Sequence, residues 1–179
     1  MRLLLDADAV LAMSKLSLWE LLLAAEVELF LTGYVACHEL STLWSARLEP
    51  LVHSGRIRVE DVIAKTPAYS RRRELQKAGA DKGEAEAVAW ATGIPLEKRP
   101  TFVSCDARAR ELAASVGVEA IDLGDLAALL IVEERATETE VTAKIATWDD
   151  TKQQQGRPAR WTTVAASLPE RKRRFTGDP

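Results

Sequence analysis

An apolar run near the start of the chain ends on a pair of carboxylates. In "LLLDADAV", Asp6 follows the run directly and Asp8 stands two places on. Far along the chain the pattern returns, where "TFVSCDARAR" reaches Asp106 and continues into Arg108 and Arg110. Between these, Glu39 lies in "GYVACHEL" and Glu84 in "DKGEAEAVAWA", each early in an expected helix. Singly, each has an ordinary explanation. Asp6 and Asp106 suit helix caps, Glu39 suits the positive end of a helix dipole, and Asp81 with Glu84 have capping-box spacing. Together they raise a different chemistry. Carboxylates brought to one place repel and are costly to desolvate, unless divalent cations hold them. Mg²⁺ or Mn²⁺ takes oxygen ligands and keeps several waters. Such a centre activates water for in-line attack on a phosphodiester and stabilises the leaving oxygen.

The elements that must position these groups follow from hydrophobic pattern. "RLLL" (2–5) is a continuous apolar run, expected as a strand covered on both faces. A helix is expected over 9–25, a strand over 27–32 closed by Gly33, and a helix over 36–53 stopped by Gly55. The alternation of 57–63 predicts a half-buried strand. Pro67 opens the next helix, and Asp81 caps another that ends before Gly93. "TFVSC" (101–105) reads as a strand, "ARARELAASVG" as a helix stopped by Gly117, and "VEAI" as a short strand. Helices follow over 125–134 and 137–148. Strands alternating with helices predict an α/β domain with a mainly parallel sheet. Ligands of such sheets sit beyond the carboxyl ends of the strands, near a switch in strand order. Asp6 and Asp106 both occupy strand ends of that kind.

Composition narrows the class. The chain has 179 residues, 47% of them apolar, and a formal charge of −3, so a strongly cationic surface is not expected. The charge is uneven, since residues 152–179 carry seven basic residues against Glu170 and Asp178. An acidic body therefore bears a basic tail. "DDTKQQQGRPARW" reads as a polar linker and "PERKRRFTGDP" as a loose tail. Trp148 and Trp161 nearby imply that part of this region packs on the body or on a second subunit. Cys37 and Cys105 are too few for a disulfide framework and read as reduced core residues beside the site. Asp6 and Asp8 interrupt any leader-like run, and Glu20, Glu26 and Glu28 break the most apolar stretch well short of a membrane span. A cytoplasmic location with no membrane partner is the expectation.

The order of these motifs resembles the PIN-domain family, metal-dependent nucleases that include the toxins of many bacterial toxin–antitoxin pairs. The likeness is carried by "LLLDADAVLAM", "GYVACHEL", "DKGEAEAVAWA" and "FVSCDARARELAASVGVEAIDLGDLAALL". A "GEAEA" helix is familiar in a toxin-type branch of the family. The likeness covers residues 1–135 and leaves 136–179 as a C-terminal extension, partly helical and then basic. It implies a three-layer α/β/α fold. It assigns Asp6, Glu39, Glu84 and Asp106 as the catalytic, metal-holding quartet for Mg²⁺ or Mn²⁺. It also implies RNA as substrate, with an antitoxin protein and a second copy of the chain as protein partners. Ser104 falls where the family often has a hydroxyl near the site.

Two departures stand out. Where the family often has Ser, Thr or Asn after its first aspartate, this chain has Ala7 and then Asp8. Ala107, Arg108 and Ala109 stand where some members carry a further aspartate.

Lys82, Arg108 and Arg110 flank the quartet in sequence and are candidates for holding phosphates. "RRR" at 71–73 reads as exposed charge. His38 adjoins Glu39 but should face away from it on a helix. Two other readings compete. One is a PIN-like module that binds RNA or a partner without cutting it. The other is a haloacid-dehalogenase-like phosphatase, whose opening motif "DADAV" fits, although Leu129 stands where its late acidic motif wants a second aspartate.

Overall fold

The computed structural model describes residues 1–16, 18–25, 27–43, 47–149 and 164–177. Five strands form one all-parallel sheet: β1 (Arg2–Leu5), β2 (Glu28–Thr32), β3 (Ile57–Glu60), β4 (Thr101–Val103) and β5 (Ala120–Ile121). Their spatial order is β3-β2-β1-β4-β5. The chain therefore builds outward from β1 in one direction, then returns to its other side with β4. That reversal is the switch point, and it lies between β1 and β4.

Alternation along the strands sends successive side chains into two cores. Leu3, Leu5, Leu29, Leu31 and Val103 join one core, while Leu4, Phe30 and Phe102 join the other. The first core is covered by α1 (Ala7–Leu16), α2 (Leu18–Ala24), α8 (Leu123–Val132) and α9 (Glu138–Asp149). The second is covered by α5 (Pro67–Lys77), α6 (Lys82–Thr92) and α7 (Ala107–Ser115). The result is the expected α/β/α sandwich. α6 is buried on nearly every face, and its Ala85, Ala87, Ala89 and Ala91 let it fit between the sheet and α5.

Several local expectations need correction. The region 9–25 is two helices, with the apolar Val10, Met13, Leu18, Trp19 and Leu22 all turned into the chain's own core. The region 36–53 is not one helix. It begins as a single π-helical turn, Val35–Glu39, closed by an i to i+5 bond from the Leu40 N–H to the Val35 carbonyl at 2.9 Å. A short turn α3 (Ser41–Leu43) follows, and a new helix α4 (Glu49–His53) starts where Pro50, lacking an N–H, is tolerated. β3 stops at Glu60 and β4 at Val103.

The loose tail is also corrected over its described part. Residues Val164–Thr176 form a helix, α10, that packs along α8 with Leu168 buried. Arg171 donates through Nη1 to Asp122 at 2.6 Å and Asp125 at 2.7 Å, and Arg174 reaches Asp125 at 3.3 Å. Lys172 pairs with Glu138 at 2.6 Å. Three of the four residues in "RKRR" are thus used to latch the helix. Gly124 makes the fit feasible, because an added Cβ would stand 2.7 Å from the Arg171 guanidinium carbon. The polar linker and Trp161 lie outside the described residues. Among those described, no helix is long and apolar enough to cross a membrane.

Candidate functional site

Asp6 is the residue directly after β1, and its N–H still bonds the Val103 carbonyl of β4 at 3.0 Å. The sheet ladder therefore fixes its backbone at the switch point. Its side chain is 6% exposed and accepts the N–H of Ala7 at 2.9 Å. A cap would usually serve the second or third helical N–H, so capping does not account for this carboxylate. Burial first, and then the neighbouring Asp8 carboxylate, push its pKa well above the ordinary range.

Asp8 stands two residues on, at the start of α1, and ties that helix to the β4–α7 loop. It accepts the Cys105 N–H at 3.1 Å and faces the Ser104 hydroxyl at 3.4 Å. The Ser104 hydroxyl in turn accepts the Asp106 N–H at 3.1 Å. Ser104 is fully buried. It holds the loop in shape through these bonds and has no exposed surface. Burial raises the pKa of Asp8, opposed by these backbone N–H bonds. Sequence reasoning set Asp8 aside; its place in the structure is as a brace for the loop that carries Asp106.

Asp106 is exposed at the N-terminus of α7, where its Oδ1 accepts the Arg108 N–H at 2.7 Å. The Arg108 guanidinium reaches the Gly79 carbonyl at 3.3 Å and so spans from α7 to the α5–α6 loop. Arg110 turns inward and donates to the Ser104 carbonyl at 2.7 Å. Of the three basic candidates, Lys82 and Arg108 are exposed, while Arg110 is partly buried and committed to the loop.

Glu39 ends the π-helical turn after β2. Its carboxylate lies against Gly83 at the start of α6, and an added Cβ there would overlap it. The glycine in "DKGE" is thus needed for close approach. The Glu39 side chain keeps contact with solvent, yet partial desolvation and then the neighbouring Asp81 and Glu84 carboxylates push its pKa up to about 7. Glu84 completes a capping box: its N–H bonds Asp81 at 2.8 Å, and its carboxylate accepts the Asp81 N–H at 3.2 Å. Burial and then Asp81 raise its pKa, with Asp106 and Arg108 acting on it more weakly and in opposite senses. These mutual influences link Asp6, Asp8, Glu39, Glu84 and Asp106 into one field. No ion pair among the described residues involves any of the five.

Glu86 was missed. It is 5% exposed, accepts the Tyr34 N–H at 2.7 Å and takes an ion pair from Arg72 at 3.0 Å. It thereby anchors the π-helical turn that delivers Glu39. A glutamate leading the otherwise apolar run "EAVAWA" was the available signal. Arg72 is accordingly a half-buried partner and not the exposed charge expected of "RRR", whereas Arg73 is exposed. Cys37 is also corrected: it is exposed, and only Cys105 is partly buried. Burial pushes the Cys105 thiol far up, so it stays protonated and unreactive.

An oxygen-only donor set, repelling and with no ion pair among the described residues, has the chemistry that suits a hard divalent ion. As they stand, no three His, Cys, Asp or Glu side chains among the described residues are arranged to grip one ion. The fit therefore rests on donor type and charge. An apolar recess lined by Ile63, Thr66, Trp90 and Ile94 lies apart, without any of these carboxylates on its wall. Compared with known proteins, the chain matches no family model and no curated protein.

Proposed function

We propose that the chain is a PIN-like, metal-dependent endoribonuclease that hydrolyses phosphodiester bonds in single-stranded or structured RNA. One observation carries the reading: Asp6 stands at the switch point of a parallel sheet, its field is shared with Asp8 and Glu39 and through them with Glu84 and Asp106, and none of these carboxylates takes part in an ion pair among the described residues. Buried or crowded carboxylates with raised pKa values are costly, and such costs are concentrated at functional sites.

Asp6, Glu39, Glu84 and Asp106 would hold one or two Mg²⁺ or Mn²⁺ ions, directly or through water. A bound ion of this kind supplies hydroxide at neutral pH and charge stabilisation at the leaving oxygen. Asp6 is a rigid donor, because β1 and β4 fix its backbone. Lys82 and Arg108 flank the cluster and are exposed, so they can meet phosphates of a polymer laid across it. Arg110, Asp8 and Ser104 act as positioning residues for Asp106. A toxin role, with an antitoxin partner or a homodimer, rests on the family resemblance alone.

The non-cutting alternative has one observation in its favour, since Glu84 and Asp106 both also serve as helix caps. The phosphatase reading is weaker. It needs Asp8 as a free acid/base, and Asp8 is bonded to the Cys105 N–H. The deciding experiment is incubation with single-stranded RNA and Mn²⁺. Wild type should cut, and Asp6→Asn or Asp106→Asn should abolish cutting. Activity surviving both substitutions would sink the nuclease reading, and tight binding without cleavage would favour the alternative.

A further inference from the structure

The π-helical turn that carries Glu39 also carries an aromatic pair. Tyr34 and His38 have ring centroids 4.7 Å apart with planes inclined by 36°, a contact in the range of favourable aromatic pairs. His38 is exposed, so the stack presents an aromatic surface to solvent, whereas Tyr34 is partly buried. The ammonium of Lys82 lies 5.8 Å from the Tyr34 ring centroid, within cation–π range. The ledge is firmly mounted, because buried Glu86 holds the Tyr34 N–H and is itself held by Arg72.

Its position matters most. His38 is followed directly by Glu39, and Lys82 is followed by Gly83, on which the Glu39 carboxylate rests. An aromatic stack and an exposed cation therefore border the acidic cluster. These are the two components by which proteins hold single-stranded nucleic acid: π-faces for the bases and cations for the backbone.

We propose that the Tyr34–His38 ledge is a stacking subsite for one unpaired nucleobase beside the scissile phosphate, with Lys82 holding the adjoining phosphate. A base inside a duplex has both faces occupied by its neighbours, so this subsite selects unpaired over paired RNA. Stacking is tolerant of base identity, so the ledge sets position and strandedness but not sequence. The inference rests on the nuclease reading for the meaning of "scissile", but its binding arm can be measured without cleavage.

The test compares a labelled oligouridylate with a sugar–phosphate strand of equal length lacking bases. Binding to the full chain is read by fluorescence anisotropy in EDTA at fixed low salt. Repulsion from the carboxylates acts on both strands and cancels in the ratio. Wild type should prefer the strand with bases by about tenfold. His38→Ala should lose most of that margin with unchanged affinity for the base-free strand, His38→Phe should keep it, and Lys82→Ala should weaken both strands alike. Equal binding of the two strands by wild type, binding of neither, or a margin that survives His38→Ala overturns the subsite. Cleavage in Mn²⁺ is scored separately. A base-dependent margin without cleavage removes the nuclease reading and keeps the ledge, and cleavage without a margin does the reverse.

Discussion

Two groups of carboxylates stand in the segments that follow the carboxyl ends of the strands, and they are treated in opposite ways. At the start of α8, Asp122 and Asp125 are both gripped by Arg171, and Asp125 also by Arg174. Around the β1–β4 switch point, Asp6, Asp8, Glu39, Glu84 and Asp106 have no such partner among the described residues, and burial and mutual repulsion raise the pKa values of the first four. Arginines were available to this chain and were used to neutralise the first group. The second group was left crowded and without an ion pair among the described residues. A structural acid is paired within the fold, while an acid meant for an external cation must be left unpaired. That contrast is the physical basis of the functional reading.

The sharpest way to break the contrast is to neutralise one member of each group. Asp6→Asn should reduce RNA cleavage to background while raising metal-free stability by on the order of 1 kcal/mol, because a buried, uncompensated carboxylate is removed. Arg171→Ala should do the opposite. It strands Asp122 and Asp125 and should cost about 2 kcal/mol in denaturant unfolding, with cleavage retained at temperatures where the protein stays folded. If both substitutions destabilise, or if both abolish cleavage, the two groups are not different in kind.

A smaller effect should appear in the pH dependence. The Glu39 carboxyl moves from its ordinary 4.5 to about 7 on folding, so between these values the folded state binds the proton more tightly than the unfolded one. Metal-free stability should therefore fall as pH rises from about 4.5 to 7. Asp6 and Asp8, also raised, act in the same direction. Thermal melts in EDTA across this window should show a declining Tm, and Glu39→Gln should flatten part of the decline. A Tm that rises through the window would contradict the electrostatics described here.

Much of this was legible in the residues because it depends on local pattern. Leu3, Leu4 and Leu5 announced a strand buried on both faces, and "TFV" announced its neighbour, so the placing of Asp6 directly after a strand followed, whereas Asp106 stands beyond the Val103 end of β4 as the cap of α7. The Asp81–Glu84 capping box was equally readable, since its bonds span one turn. What escaped depended on contacts distant in sequence or on irregular backbone. The π-helical turn at Val35–Glu39 leaves no periodic signature, and it turned Cys37 outward where a regular helix was expected to bury it. Asp8 braces a loop nearly the whole domain away in sequence, and Glu86 bonds the Tyr34 backbone on a different element. Basic "RKRR" read as part of a loose tail because the acceptors of three of its residues, Asp122, Asp125 and Glu138, belong to other elements. Charge pattern shows that a residue is ionic; only the fold shows which partner, if any, it meets.

The central claim is that the switch-point carboxylates are kept unpaired for a divalent cation. Titrating Mn²⁺ into the metal-free full chain by calorimetry tests it most directly. Saturable binding is expected, weakened about tenfold or more by Asp6→Asn and by Glu39→Gln and unchanged by Asp125→Asn. Absence of saturable binding, or binding indifferent to Asp6→Asn and Glu39→Gln, would contradict it.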